Sequence, residues 1–414
     1  MRTIGTTVRG IRAPIIKEGD DIINIVVDSL QKSWENEGYE LRDHDVVGIT
    51  ESAIARAQGN YVTVDEVAQE VCDKFGEDAH IGVVFPILSR NRFSIILKGI
   101  ARAANKITLL LSYPRDEVGN MLFEKEPKME RLAPRGNDSA YMNKSSSGGS
   151  EIPATEAIYR IMFAGAKTVH PFTGVDYVQF YKDIIETEGA EAKIIFGNHP
   201  GTIVYYTNHV LISNIHERVY ARQQINLQFK VQSKFQFKPI IYDLADLFGK
   251  FNQYGLLGSN MAGDERLKLF PRNGHAYVEK IQKKLKKLTG KHVEVMIYGD
   301  GAFKDPQGKI WELADPVVSP AYTAGLAGTP NEIKMKLFAD TKMGDLTGEA
   351  AEAKMREYIT EKDQNLVGNM HSEGTTPRQL TDLLGSLCDL TSGSGDKGTP
   401  IVLIQGYFDN YATE

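Results

Sequence analysis

Two short segments in the last third of the chain carry residue types that bind phosphates and metal ions. The first, GDGAFKDPQGK, places Asp300 directly after HVEVMIY, which is predicted to be a strand. A carboxylate at a strand end is the hard oxygen ligand that Mg2+ or Mn2+ needs when it bridges nucleotide phosphates. Asp-Gly is also a common turn former. These residues alone support a metal ligand and a plain turn about equally.

The second segment, LTSGSGDKGTPIVLI, is a glycine-rich loop between a predicted helix and a predicted strand. A P-loop runs in the opposite order, from strand to helix, and ends in GK[ST]. Phosphate binding here would instead use backbone N–H groups in glycine-permitted conformations, with Lys397 adding positive charge. From these residues alone a plain turn is the somewhat better supported interpretation.

Three further patterns give weaker functional signals. Arg90 and Arg92 flank an asparagine and could hold an anion, although an ordinary exposed turn has the same composition. His216 and Glu217 lack the HExxH spacing of a zinc hydrolase, and a lone helical histidine is more often a packed or surface residue. The lysines of AYVEKIQKKLKKLTG most simply form a solvated helix face, with phosphate binding as the minor alternative.

The composition is that of an ordinary globular protein, and its 414 residues suffice for about two or three packed units. The net charge of -6 provides no basic field for nucleic acid or an anionic membrane. Cys72 and Cys388 lie far apart in predicted amphipathic helices, which excludes a disulfide framework and indicates a reducing compartment. No apolar stretch approaches the ~20 residues of a membrane span. A cytoplasmic protein is expected, with neither nucleic acid nor membrane as partner.

Hydrophobic periodicity predicts the elements that must position these segments. Strands are expected in four further segments: DVVGITES, IGVVFPIL, KITLLLSY and AKIIFG. Helices are expected in three: about Asp20 to Trp34, Val64 to Phe75, and VDYVQFYKDIIE. Alternating elements from about Thr155 to Phe248 indicate an α/β unit. Residues from about Glu124 to Ser150 are polar and are predicted to form a surface loop or a boundary.

Two C-terminal helices have clear sequence signals. In AYVEKIQKKLKKLTG, Gly290 is the expected stop, and four apolar residues share one face: Val278, Ile281, Leu285 and Leu288. In TTPRQLTDLLGSLCDL, Thr376 is the predicted N-cap, with Pro377 at the first position and Gln379 completing a capping box. Its predicted buried face consists of four leucines: Leu380, Leu383, Leu384 and Leu387.

Four separated segments together resemble the coenzyme F420-0:L-glutamate ligase family. RAPIIKEGDD resembles the family's IPLIKEGDDL opening, and DVVGITESAIARAQG resembles its DVLVVxSTVxSKAEG. YGLLGSN followed by LTGKHVEVMIYGD is similar to AGIDxSN and LTGKxVxVIITDT. The loop LTSGSGDKGTPIVLI is similar to GEGxDGxPxVxxRG, which wraps nucleotide phosphates and metal in the family.

The resemblance implies an α+β fold of mixed sheets with packed helices, here with an inserted α/β unit, in a homodimer. It implies three parts: an N-terminal ligase-like part at 1–125, an inserted region at 126–250 that begins with the loop 126–150, and a C-terminal ligase-like part at 251–414. The activity implied is amide ligation of L-glutamate to a carboxylate through an acyl phosphate. GTP or ATP would be the phosphoryl donor and Mg2+ or Mn2+ the metal, with K+ as a further cation. F420-0 and a folate-type γ-glutamyl acceptor both remain open.

The resemblance also assigns site residues by position. The implied nucleotide-binding residues are Pro14, Ile15, Ile16, Lys17, Glu51, Ser52, Arg56, Asn260, Ser392, Gly393, Ser394, Gly395, Asp396, Lys397 and Gly398. The implied metal ligands are Asp300 and Asp396, and no catalytic residue is assigned.

The chain departs from the family pattern at three acidic or hydroxyl positions. Leu257 stands where AGIDxSN has its metal-binding aspartate, Gly301 replaces the threonine after the metal aspartate, and Gly393 or Ser394 replaces the loop glutamate. Asp396, Asp305, Asp315 and Asp264 are candidate substitutes. A nucleotide-binding or regulatory protein that has lost turnover is therefore the second hypothesis, and Leu257 favours it.

Overall fold

A computed structural model provides the structure of the chain. It describes residues 3–113, 115–117, 119–122, 143–144, 151–152, 154–155, 168–171, 173–231, 238–250, 252–299, 318–342, 344, 346–372, 379–392 and 396–413. The metal candidate Asp300, the loop residues Gly393 to Gly395 and the predicted cap Thr376 lie outside the described residues.

Within these ranges the chain forms ten α-helices and sixteen strands. The helices are α1 (Ile22–Glu37), α2 (Glu51–Ala57), α3 (Val64–Phe75), α4 (Arg92–Ala103), α5 (Tyr177–Thr187), α6 (Arg218–Val231), α7 (Gly274–Thr289), α8 (Met335–Lys342), α9 (Gly348–Thr360) and α10 (Leu380–Ser392). The strands are β1 (Thr7–Ile11), β2 (Val46–Thr50), β3 (Tyr61–Thr63), β4 (Ala79–Val84), β5 (Ala104–Leu111), β6 (Asn143–Lys144), β7 (Glu151–Ile152), β8 (Ala154–Thr155), β9 (Glu191–Phe196), β10 (His209–Ile212), β11 (Ile240–Asp243), β12 (Ser259–Met261), β13 (Arg266–Leu269), β14 (Glu294–Gly299), β15 (Val318–Tyr322) and β16 (Ile401–Gln405). The predicted α+β class is confirmed.

The chain divides into two compact units. Among the described residues, unit 1 takes those in 1–59, 271–300 and 316–414, and unit 2 takes those in 60–270. The predicted boundaries at 125 and 250 separate an inserted region from the ligase-like parts of the chain. This division stays a prediction.

Unit 1 is built on a five-stranded mixed sheet in the order β1-β16-β2-β14-β15. β2 and β14 are parallel, and the other neighbours are antiparallel. Because side chains alternate between the faces of a strand, each face has its own core. Val47 and Val295 face α1 and α7, whereas Val46 and Met296 face α10. Helix α10 packs so closely on the sheet that a Cβ at Gly48 would lie 2.4 Å from Cys388 Sγ.

Two helices of unit 1 show how local signals fix their ends. The Asp21 side chain accepts a hydrogen bond from the Asn24 backbone N–H at the start of α1, at 3.1 Å. α7 ends at Gly290, which adopts the left-handed conformation with φ of 74°, as predicted. Three of the four residues predicted to form the apolar face of α7 are buried, namely Val278, Ile281 and Leu285. The fourth, Leu288, is 48% exposed.

Three predicted element ends were wrong. The segment beginning at Glu51 was predicted to finish a strand and then turn, but it forms helix α2, since Glu51 suits the first turn of a helix dipole. The strand predicted through IGVVFPIL ends at Val84, before Pro86, which cannot donate a ladder hydrogen bond. α10 continues through Ser392, so the glycine loop begins later than Thr391.

Unit 2 is built on a six-stranded sheet in the order β11-β10-β4-β5-β9-β8. All neighbours are parallel except β8, which is antiparallel to β9. α4 and α5 cover one face, and α6 covers the other. This is the doubly wound arrangement expected of alternating strands and helices. A small antiparallel sheet, β12-β13-β3, belongs to the same unit.

α3 is the best-defined helix of unit 2, and it has the predicted bounds. Thr63 and Glu66 form a reciprocal capping box, with Thr63 N donating to Glu66 Oε2 at 2.7 Å. Its buried side packs on the core through residues that include Val67 and Val71. Local capping and periodicity agree here, which explains why the sequence predicts this helix well. No helix of the described ranges is long and apolar enough to cross a membrane.

Candidate active site

Sheet register in unit 1 brings three distant segments to one edge. β2 and β14 are parallel with Thr50 opposite Tyr298, so both strands end at this edge. β16 begins there, since Ile401 pairs with Ile49 and with Ile11, the last residue of β1. The chain segments after β1, after β2 and before β16 therefore meet, and these segments carry most of the predicted site residues.

Further backbone hydrogen bonds connect these segments, in addition to those between the paired strands. Thr50 N donates to Pro400 O at 3.0 Å, and Ala13 N donates to Gly398 O at 3.2 Å. The described end of the glycine loop is thus held between the end of β2 and the segment that leads into Pro14.

Glu51 is the buried carboxylate of this edge. It is 4% exposed, and its Oε2 accepts a hydrogen bond from Thr50 Oγ1 at 3.0 Å. The carboxylate lies against the backbone of Gly299, where a Cβ would be 2.7 Å from Oε2. A residue with a side chain could not stand at position 299 without displacing Glu51. Glu51 thereby contacts the residue that immediately precedes Asp300.

Helix α2 presents two more predicted residues from this edge. Ser52 and Arg56 are four positions apart, so they share one helix face. Ser52 is half-buried, and Arg56 is exposed in the last turn. A cation and a hydroxyl on one face suit a phosphate or carboxylate.

The base of the glycine loop is closed by two hydrogen bonds. The hydroxyls of Tyr298 and Ser392 bond to each other at the end of β14. Thr399 Oγ1 donates to Ser392 O at 3.0 Å and so connects the two ends of the loop. Burial, reinforced by nearby Cys388 and Glu51, raises the pKa of Tyr298, so its hydroxyl stays neutral. Ser392 is 3% exposed, which makes it a structural anchor of the loop rather than a group facing solvent.

The described tip of the loop is polar and accessible. Asp396 and Lys397 are exposed, and Gly398 adopts φ of 65°. Such a conformation favours glycine and lets successive backbone N–H groups converge on an anion.

The segment after β1 is also ordered at this edge. Lys17 N donates to Asp20 Oδ2 at 2.6 Å, and Gly19 N donates to Ala57 O at 2.9 Å. Pro14 and Lys17 are exposed, Ile16 is 7% exposed, and Ile15 is 82% exposed. Ile15 is therefore a single exposed apolar side chain beside this polar edge.

A cleft of about 820 Å³ in unit 1 is lined by β1, Pro14 and α1. Its cationic side chains are Arg9, Arg12 and Lys32, and Glu37 is acidic. Ser29, which is 8% exposed, contributes a hydroxyl to the wall. The cleft therefore has the size and charge for a small anionic molecule.

The lysine-rich helix presents its charges to solvent. Lys280, Lys283, Lys284 and Lys287 line a groove of about 380 Å³ together with Asp21 and Ile23. This placement agrees with the predicted solvated face.

Two predicted positions belong to unit 2. Asn260 lies on β12 and pairs in register with Lys268. Leu257 is 6% exposed in the hydrophobic core of unit 2, so its side chain provides no metal ligand there. Its backbone oxygen instead accepts a hydrogen bond from Arg92 Nη1.

Arg92 and His216 differ in their surroundings. Arg92 is 2% exposed, so the exposed-turn alternative does not hold for this residue. His216 and Glu217 are exposed, which agrees with the surface interpretation.

Sequence reasoning missed several residues that build the edge: Thr50, Tyr298, Gly299 and Thr399. Tyr298 and Gly299 act through Ser392 and Glu51, which are distant in sequence. The side chains of Thr50 and Thr399 have nearer partners, Glu51 and Ser392, but no recognised motif marks these pairs. The one available signal was position, because Gly299 and Tyr298 directly precede Asp300 in the segment already selected. Among the described residues no group of three or more histidine, cysteine, aspartate or glutamate side chains could hold a metal ion.

The fold and this edge define a mixed α+β protein with a polar, loop-built site at the end of a sheet. The model of the F420-0:gamma-glutamyl ligase family matches residues 10–406, and the chain belongs to this family. The resemblance noted in the sequence is thus confirmed, and gamma-glutamyl ligation is the activity for which the family is named. No curated protein matches the chain.

Proposed function

We propose that this chain is a nucleotide-dependent ligase that joins the amine of L-glutamate to a carboxylate acceptor through an acyl phosphate. GTP or ATP donates the phosphoryl group, and F420-0 or a folate-type molecule is the acceptor. The observation that carries the proposal is the meeting of three segments at one sheet edge. There the buried carboxylate of Glu51 lies against Gly299, and Gly299 is the residue before Asp300 in sequence. A homodimer in the cytoplasm is part of the proposal.

The chemistry needs activation because a carboxylate at neutral pH does not accept an amine. The acceptor carboxylate oxygen attacks the γ-phosphorus of the nucleotide, and the nucleoside diphosphate leaves. The glutamate amine then attacks the acyl carbon, gives up a proton and expels inorganic phosphate. Bringing the three reactants together in line supplies much of the rate.

The nucleotide phosphates are assigned to the loop from Ser392 to Gly398, with Lys397 and Arg56 supplying positive charge. The Tyr298 and Ser392 hydroxyls and the Thr399 bond hold the base of this loop. A loop that is fixed at its base loses less entropy on binding phosphates than a free one. Residues Pro14 to Lys17 form the neighbouring wall of the nucleotide site. Ile15 packs against the purine ring of the nucleotide.

Divalent metal is assigned to the same edge. The donors fit a hard cation such as Mg2+ or Mn2+ in chemistry, since Glu51 offers a buried carboxylate and Asp300 is the residue after Gly299. Asp396, exposed in the loop, is the further acidic group. The ion would neutralise charge on the phosphates, while Thr50 orients Glu51 through its hydrogen bond.

One observation favours the alternative of a nucleotide-binding protein without turnover. Leu257 replaces a metal-binding aspartate of the family pattern, and its side chain is packed in the core of unit 2. Under this alternative the sheet edge binds nucleotide but transfers no phosphoryl group.

Turnover separates the two functions. The protein is incubated with GTP or ATP, Mg2+ or Mn2+, with and without K+, glutamate and a panel of carboxylate acceptors. Acceptor-dependent release of nucleoside diphosphate, matched by a mass gain of one glutamyl unit, is the expected result. Nucleotide binding without turnover under any combination would contradict the ligase and support the alternative.

A further inference from the structure

The cleft between β1 and α1 in unit 1 extends to the proposed nucleotide site. It has a volume of about 820 Å³, and its β1 side runs from Arg9 to Pro14. Pro14 directly follows Ala13, whose backbone N–H donates to Gly398 O of the glycine loop at 3.2 Å. One end of the cleft therefore lies beside the loop that is assigned to the nucleotide phosphates. Clefts of this volume accommodate ligands of cofactor size.

Positive charge predominates among the side chains of this cleft. Arg9, Arg12 and Lys32 line it, and Glu37 is the one acidic residue in the lining. Within the part of the chain that the structure describes, none of the three cations forms an ion pair. The whole chain carries a net charge of -6, so this surplus of positive charge is local. A concave surface with such a surplus attracts anions.

Arg9 is held in a defined direction by two neighbours. Its Nη1 donates to Gln405 Oε1 at 2.5 Å, and its guanidinium carbon lies 4.4 Å from the centre of the Tyr39 ring. The Gln405 amide is itself fixed, since its Nε2 donates to Glu40 O at 3.0 Å and to Asp45 Oδ2 at 2.6 Å. Because both of these partners are acceptors, the amide nitrogen faces them and the amide oxygen faces Arg9.

This arrangement leaves the guanidinium of Arg9 able to bind an anion. Arginine has five N–H donors, and among the described residues Gln405 is the one hydrogen-bond partner of the Arg9 side chain. Tyr39 adds no negative charge beside it, because burial raises the pKa of Tyr39 and its hydroxyl donates to Ser33 Oγ at 2.8 Å. A positioned arginine with unused donors suits a carboxylate or a phosphate group.

The order of residues along the cleft sets the direction of a ligand. An acceptor carboxylate must reach the γ-phosphoryl group at the glycine loop, so it lies at the Pro14 end. Arg9 lies five residues before Pro14, within β1, and so contacts a different part of the same ligand.

We propose that this cleft binds the carboxylate acceptor and selects acceptors that carry a second anionic group, a carboxylate or a phosphodiester, which Arg9 binds. Arg12 and Lys32 add positive charge around that group. This inference rests on the proposed ligase function for the identity of the ligand.

Binding to the full-length chain tests the selectivity. Isothermal titration calorimetry is performed with Mg2+, with and without a non-hydrolysable GTP analogue, and without glutamate, so that no ligation occurs. The probes are F420-0, which carries a phosphodiester and a carboxylate, pteroylglutamate, which carries two carboxylates, and pteroate, which carries one. At least one of the first two is expected to bind, and pteroate should bind at least about tenfold more weakly than the tighter of them. Binding of F420-0 alone assigns the second group to a phosphodiester, and binding of pteroylglutamate alone assigns it to a carboxylate.

Arg9→Gln gives the site-specific readout. It should weaken binding of the tighter probe at least about tenfold and leave the affinity for the GTP analogue within about twofold, which a general loss of structure would not do. Lys354→Gln, which removes an exposed positive charge on α9, is the matched control and should change neither affinity. The double variant Arg12→Gln/Lys32→Gln changes two exposed side chains and tests the cleft if Arg9→Gln does not fold.

Three results would overturn the proposal. The first is that neither F420-0 nor pteroylglutamate binds, or that pteroate binds as tightly as the better of them. The second is probe binding that is unchanged in both the Arg9 variant and the double variant. The third is a loss of affinity for the GTP analogue in place of the probe, which would make the cleft part of the nucleotide site.

Turnover distinguishes failure of this inference from failure of the ligase proposal. Probe binding that depends on Arg9, without turnover of any acceptor, would support the cleft and contradict the ligase. Turnover with an acceptor KM that is unchanged in Arg9→Gln would support the ligase and contradict the cleft.

Discussion

The carboxylate of Glu51 lies directly against the backbone of Gly299, so that a Cβ on Gly299 would be 2.7 Å from Glu51 Oε2. Glu51 begins the helix after β2, and Gly299 ends the parallel strand β14. The contact therefore joins two segments far apart in sequence at the edge where the glycine loop also arrives. It sets the position of the buried carboxylate relative to the residue before Asp300.

Gly299→Ala should displace this carboxylate. The added methyl group is expected to destabilise the protein by about 1–3 kcal/mol, as overpacking does, and to lower ligase turnover more than nucleotide binding. Urea unfolding and steady-state kinetics measure the two effects. Gly5→Ala is the control, since nothing lies within 4 Å of the added atom. Equal stability and turnover in Gly299→Ala and wild type would contradict the tight contact.

Glu51→Gln keeps the size of the side chain but removes its charge. If the carboxylate helps to hold the metal, turnover should fall at least about 100-fold, which corresponds to about 3 kcal/mol of lost charge stabilisation. The far-ultraviolet circular dichroism should be unchanged. Glu349→Gln changes an exposed residue in the first turn of α9 and should retain wild-type rates. A Glu51→Gln enzyme with near-normal rates at saturating metal would remove Glu51 from the metal site.

Arg56→Gln tests the phosphate assignment of the exposed face of α2. Loss of one charge-assisted hydrogen bond should raise the KM for nucleotide about tenfold and leave kcat nearly unchanged. Lys336→Gln removes an exposed positive charge elsewhere in unit 1 and serves as the control. A fall in kcat at unchanged KM would instead show that Arg56 acts only in the transition state.

Asp45 should make stability depend on pH at the opposite end of β2. Burial raises the pKa of this carboxyl, although hydrogen bonds from Arg42 N and Gln405 Nε2 oppose the shift. Because the folded pKa is raised, the folded state has its full stability below the ordinary carboxyl pKa and loses it as pH rises through the folded pKa. Asp45→Asn should therefore be more stable than wild type at pH 7.

Urea unfolding of wild type and Asp45→Asn across the acid range checks this sign. The stability difference should shrink as pH falls below about 3, where the carboxyl is protonated in both the folded and the unfolded state. A difference that stays constant with pH would show that the charge on Asp45 costs nothing in the folded state.

Much of the fold could be predicted where local signals agree. α3 has the predicted bounds because capping residues and apolar spacing coincide, and α7 stops at Gly290 for the same reason. The prediction failed at Glu51, where a strand becomes a helix with no breaker residue between them. It also failed for Leu288, which is 48% exposed although it continues the apolar spacing of the buried residues of α7.

The candidate site could be predicted only in part. The resemblance selected Glu51 and the glycine loop, but sheet register brings them together, and the pairing of β2 with β14 cannot be read from either strand alone. No sequence motif marks Tyr298 or Thr399 as a site residue. Their role is to hydrogen-bond to Ser392, and this contact exists only in the folded chain. The strand order of unit 2 likewise appears only after pairing.

Isotope transfer tests the central claim most directly. Acceptor labelled with 18O in its carboxylate is ligated to glutamate by the wild-type protein, and the released inorganic phosphate is analysed by mass spectrometry. An acyl phosphate requires one 18O atom to move from the acceptor to phosphate for each amide formed, and Glu51→Gln should form at least about 100-fold less of both products. Amide formation that leaves the phosphate unlabelled, or no amide with any acceptor, would contradict the account.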